Sequence, residues 1–277
     1  MTGKKAILIT RPIALLAIIV SACTDLSAVR DWSATSLQAV QFNEIVSTYA
    51  NTPKRLESYD KDGANEWTLQ SAERKAQADA LQLHLFVVAE YMAALAALSD
   101  DKAIDYTQDV GSLITSLKKT GHVSGQTLDA AEGLAANIGN AVAGGWQKQK
   151  IGELIEKSDA PLQALLADLK SIVDKDFRRD LEIERRVLDL YFKELLDDSS
   201  ASLVAKSALD EWYVLRMEQN TGRLAAVESY AAILDRIAEG HDELFRNRND
   251  LGAATLANDL NELTKEIRKI AKQLIKP

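Results

Sequence analysis

The sequence predicts an all-α protein, an elongated antiparallel helical bundle with long, coiled-coil-like helices. Only four prolines occur among 277 residues, at Pro12, Pro53, Pro161 and Pro277, while strong helix formers such as Ala, Leu, Glu and Lys are abundant. No segment sustains the period-two alternation that a half-buried strand requires. Apolar residues recur instead at steps of three and four over long stretches, the pattern of a helix that buries one face.

The first helix is expected from about Asp25 to Ala50, carrying Leu26, Val29, Trp32, Leu37, Val40, Ile45 and Val46, and ending at Asn51-Thr52-Pro53, where proline closes one helix and can open another. A second runs from about Asn65 to Ser99. Within it, residues 80–98 are long and apolar enough to cross a bilayer. Glu90 near the middle, and the heptad stripe Leu81, Leu85, Val88, Met92 and Leu95, favour a buried central helix of a bundle. A third helix is expected over about Asp101–Thr120, closed by the turn Gly121-His122-Val123-Ser124-Gly125.

The fourth helix is rich in small residues. Eight of the thirteen glycines fall between Gly111 and Gly152, and residues 130–146 are largely Ala and Gly. Gly139 and the pair Gly144-Gly145 each cost a helix about 1 kcal/mol relative to alanine. Close packing against a neighbouring helix compensates in one reading, and a membrane-active or mobile segment is the other; Asp129 and Glu132 favour packing.

Ser158-Asp159-Ala160-Pro161 reads as the start of a fifth helix. Its stretch Asp174–Arg186 holds ten charges in thirteen residues, which suits a solvated face laced with i, i+4 pairs, or else a docking strip. Tyr213, Met217, Asn220, Leu224, Val227, Ala231, Leu234, Ala238, His241 and Phe245 then form a coiled-coil seam, repeated as Leu256, Leu260, Leu263, Ile267, Ile270 and Leu274. With Asn249-Asp250 as turn and cap, these two helices should pair antiparallel. Six or seven helices in one domain are expected, and the seams leave open whether they close within one chain or between two, so the oligomeric state is not fixed.

The amino terminus has a different character. Lys4, Lys5 and Arg11 precede the apolar run Pro12–Val20 and then Ser21-Ala22-Cys23, the layout of a secretory signal. Val20-Ser21-Ala22-Cys23 resembles the lipobox of bacterial lipoproteins. The resemblance implies cleavage between Ala22 and Cys23, diacylglycerol on the Cys23 thiol and acylation of the new amine, which together anchor a chain stably. Residues 1–22 are then the signal peptide and 23–277 a single periplasmic domain. By resemblance to enterobacterial lipoproteins, Thr24 rather than aspartate at the next position implies the outer membrane over the inner. The apolar run is too short to span a bilayer, and Cys23 is the only cysteine, so no intramolecular disulfide can form.

Loss of three basic residues with the signal takes the net charge from −8 to −11. An acidic surface repels phosphate backbones, so nucleic acid is excluded as a partner, and membrane attachment falls to the lipid. Asn220 and His241 share one heptad letter in an otherwise mostly apolar seam and are expected to fix its register, and with His84 and Glu90 they are expected as a polar core. The functional alternative makes His241 an acid–base group or metal ligand with Glu239, Asp242 or Glu243. A di-iron site is excluded by spacing, because Leu81, Lys119 and Ala238 stand three residues before the histidines. Ser116-x-x-Lys119 and Lys119-Thr120-Gly121 mimic β-lactamase motifs but share one lysine, which those enzymes do not.

No catalytic residue, cofactor or metal is therefore expected. The expected function is a non-enzymatic interaction or scaffold module anchored in the envelope, its partners the membrane, through the lipid, and another envelope protein. An immunity or phage-exclusion lipoprotein is the alternative. A cell-wall enzyme requires Glu90, His84 or His241 to line a cleft.

Overall fold

The computed structural model describes residues 25–60, 63–100, 125–143 and 150–274. The lipobox with Ala22 and Cys23, the helix expected over 101–120 with Ser116 and Lys119, His122 and the pair Gly144-Gly145 lie outside the described residues. The protein is an all-α helical bundle. Its elements are α1 (Ser27–Val40), α2 (Asn43–Ala50), α3 (Thr52–Tyr59), α4 (Ala64–Ser99), α5 (Gly125–Ala143), α6 (Ile151–Ser171), a π-helical turn (Ile172–Phe177), α7 (Arg178–Asp197), α8 (Leu203–Arg246) and α9 (Ala254–Leu274). Six of these helices are nineteen residues or longer.

The helix expected over 25–50 is two helices, α1 and α2, with a break at Gln41-Phe42. A break leaves carbonyls without intrahelical donors. One of them is satisfied from across the core: the buried Tyr230 hydroxyl donates to the Val40 carbonyl at 2.8 Å. The next junction is as read from the sequence, with Pro53 in the first turn of α3. In α4 the whole stripe Leu81, Leu85, Val88, Met92 and Leu95 is buried, so its apolar length is consumed by the bundle. Trp32 of α1, fully buried, lies against α8 at Gly240, where a Cβ would stand 2.4 Å from the indole ring. Only glycine permits that approach.

The fifth helix does not begin at Ser158. It begins at Ile151 and carries Pro161 in its interior, where the ring removes the N–H that would bond the Lys157 carbonyl. That carbonyl is rescued by α5, whose Asn137 Nδ2 donates to it at 2.9 Å. Gly133 of the same helix approaches Pro161 at van der Waals distance. The small-residue face Ala131, Leu134, Ala135 and Ile138 is buried in the core, whereas Gly139 faces open space. Packing thus accounts for the helix face and for Gly133, and leaves Gly139 without a close neighbour among the described residues.

The π-helical turn joins α6 to α7 without interrupting the rod. A π turn adds one residue, which advances the phase of the following helix by about 100°. The charged run that starts within it divides. Asp174 pairs with Arg178 at 2.8 Å and Asp176 with Arg179 at 3.6 Å on the outside, as a solvated face predicts, but Asp180 and Glu184 turn inward and are buried.

Ser202 caps α8, its hydroxyl accepting from the Ala205 N–H at 3.2 Å. At 44 residues α8 is about 66 Å long, against about 32 Å for α9. The two pack together as expected, and Leu256, Leu260, Leu263, Ile267 and Leu274 are buried. The turn spans 247–253, with the Asp250 N–H donating to the Asn247 carbonyl at 2.8 Å, so Asp250 shapes the turn but stands four residues before α9. Since α9 is half as long as α8, the first part of α8 lies on α7 instead.

Candidate functional site

The polar positions of the α8 seam do not face α9. Asn220 is fully buried and its Nδ2 donates to the Leu181 carbonyl of α7 at 2.9 Å. His241 is fully buried between α4 and α6. Its Nε2 lies 2.6 Å from the Tyr91 hydroxyl and its Nδ1 3.0 Å from Asp159 Oδ1. With the proton on Nδ1, the ring donates to the carboxylate and accepts from the phenol, which satisfies both nitrogens. The ring N–H holds the Asp159 carboxyl below its usual range, while burial pushes the Tyr91 hydroxyl well up. Neither Glu239, Asp242 nor Glu243 joins this chain; they pair with Arg236 and Arg246. Tyr91, His241 and Asp159 thus form a relay that pins α4, α6 and α8 together.

His84 is also buried, and neither ring nitrogen has a hydrogen-bond partner among the described residues. Desolvation lowers its pKa, opposed by Asp168. Glu90 on the same helix is half-buried. His84, Glu90 and His241 line none of the clefts described below, and the structure does not bring them to one place on a surface. Among the described residues no three His, Cys, Asp or Glu side chains are grouped to hold a metal ion.

A second polar cluster was not foreseen. Glu184 of α7 is buried and accepts from Arg55 Nε of α3, at 2.9 and 3.0 Å, and from Arg223 of α8 at 2.9 Å. Arg55 is held in turn by the Thr48 carbonyl at 2.8 Å and the Thr52 hydroxyl at 3.0 Å. One turn back, Asp180 sits 2.8 Å from Arg74 of α4, whose guanidinium stacks 4.5 Å over the Tyr49 ring. Burial nonetheless raises the Asp180 pKa, outweighing Arg74, and desolvation lowers that of Arg223 despite Glu184. The sequence signal was present, since Asp180 and Glu184 are spaced i, i+4, but so are several exposed pairs in the same run.

Two clefts border this cluster. A polar one of about 210 Å³ is walled by Arg55, Arg216, Arg223, Ser58 and Tyr59, with Glu184 at its base. A larger one, about 560 Å³, is walled by Phe42, Ile45, Phe177, Leu215 and Leu274 together with Gly222. Arg223 and Gln219 line both. Farther along α8, large apolar side chains meet solvent: Val204 is 80 % exposed, Trp212 61 % and Leu215 47 %. No family model matches this chain, and no curated protein and no solved structure matches it either.

Proposed function

We propose that this chain is a bacterial envelope lipoprotein, cleaved before Cys23 and held by acyl groups at the periplasmic face of a membrane, the outer membrane rather than the inner, where it binds another protein without catalysing a reaction. The anchor rests on the lipobox-like Val20-Ser21-Ala22-Cys23 and its charged and apolar lead-in.

The interaction role rests on one observation. Val204, Ala208, Trp212 and Leu215 follow steps of four, four and three along α8 and are all exposed. Such a row is the apolar edge of a coiled-coil seam with no partner helix beside it among the described residues. A helix of another envelope protein, laying an apolar face on this row, is the occupant it suits.

Metabolic labelling with a clickable fatty acid should mark the wild-type protein and not Cys23→Ala. An unlabelled wild-type chain that keeps residues 1–22 overturns the anchor. Crosslinking in the native host should capture a defined protein that Trp212→Glu loses. Capture that is identical with and without that substitution overturns the role given to the row.

A further inference from the structure

We infer that the paired clefts beside Glu184 form a binding site for a single-chain amphiphile with a phosphate head. The inference concerns a ligand rather than the protein partner, and it holds whether or not the chain is lipid-anchored.

Charge places the head. Three guanidiniums, Arg55, Arg216 and Arg223, face the polar cleft, against one carboxylate. Glu184 is buried beneath and already engaged by two of them. Among the described residues Arg223 gives Nη1 to Glu184 and its Nε and Nη2 have no acceptor, and Arg216 donates to Gln219 Oε1 alone, at 2.9 Å. Tyr59 stands in the same wall. Two surplus positive charges and donors arriving from α3 and α8 suit a tetrahedral dianion, which arginine forks recognise with direction as well as charge. In a chain of net charge −8 such a pocket is a local reversal of sign, and long-range steering does not explain it.

Apolar surface places the tail. The larger cleft continues from Arg223 and Gln219 between α2, α8 and the end of α9, past the ring of Phe177, the last residue of the π-helical turn. Its volume lies in the range of small-molecule sites. The exposed carboxylates Glu44 and Glu218 stand along it, so an anionic head is repelled there and directed to the arginine end. Gly222, in the wall, has no atom within 4 Å of where a Cβ would stand, which leaves room for a chain.

Calorimetric titration of the full chain with octyl phosphate, inorganic phosphate and octyl glucoside, each below its micelle-forming concentration, tests this. Octyl phosphate should saturate one site and bind at least about tenfold more tightly than either control, the effect of adding one charged hydrogen bond or a few buried methylenes. Arg216→Gln should abolish the preference over octyl glucoside. Gly222→Leu should abolish the preference over inorganic phosphate, since its side chain occupies the tail cleft. Both positions are solvent-facing on α8, and unchanged thermal melts verify that the variants fold. Absence of saturation overturns the site, as does equal binding of either control, which marks a plain anion pocket or a plain apolar one. Wild-type affinity in both variants does the same.

Discussion

Gly222 and Gly240 lie on the same helix, eighteen residues apart, and should respond oppositely to one added methyl group. At Gly222 nothing stands within 4 Å of the new Cβ, so Gly222→Ala should raise stability by about 1 kcal/mol through helix propensity. At Gly240 the Cβ would lie 2.4 Å from the Trp32 ring, and Gly240→Ala should lose about 1–3 kcal/mol to overpacking in spite of the same gain. Denaturant midpoints of the two variants measure the contrast. His84 gives a pH signature. Its folded pKa is depressed, so below the unfolded value of about 6.5 the unfolded chain binds a proton that the folded chain refuses, and stability falls as pH falls through that window. The drop in thermal midpoint between pH 7.5 and 5.5 should be smaller in His84→Gln. An equal drop assigns the effect to other groups. The Asp159 shift has the acidic sense: its contribution is present above the usual carboxylate range and is lost only as pH falls below it.

The helix pair α5 and α6 shows how a locally unfavourable residue is supported from outside its own element. Pro161 removes a donor within α6, and Asn137 of α5 supplies another to the orphaned Lys157 carbonyl. Asn137→Ala should therefore cost about 1 kcal/mol in the wild-type background. In a Pro161→Ala background the residue 161 amide can itself donate to Lys157, and the cost of Asn137→Ala should largely vanish. Additive effects in this double-mutant cycle would refute the coupling. Position 158–161 thus carries the composition of a helix start inside a helix, because an N-cap signal reports only local chemistry and cannot register a donor reaching in from another helix.

Across the molecule, one carboxylate joins segments far apart in the chain. Glu184 binds Arg55, 129 residues earlier, and Arg223, 39 residues later, and so locks α3, α7 and α8 together where the π-helical turn has re-aimed the rod. Removing a buried partner leaves two arginines crowded without compensation, so Glu184→Ala should cost about 3–5 kcal/mol. Hydrogen exchange should show the loss first in α3 and the early half of α8, while the relay through Tyr91, His241 and Asp159 keeps α4, α6 and the later half of α8 protected. Uniform loss of protection would mean that the two clusters do not act as separate locks.

Helix periodicity was legible residue by residue: the stripe Leu81–Leu95 and the repeat Leu256–Leu274 fall on the buried faces read from their spacing. That His241 and Asn220 are buried was legible too, because a polar side chain at a seam position has little choice of direction. Their partners were not legible. Asp159, Tyr91 and the Leu181 carbonyl reach them through packing between helices far apart in the chain, and spacing within one helix holds no record of which neighbour lies across the gap. The same reason hid the break at Gln41-Phe42, sustained by Tyr230, and the inward turn of Asp180 and Glu184, set by the added residue of a π turn. Local period specifies the face each helix buries; the crossing of helices selects which groups meet there, and with them the clefts in which a ligand can sit.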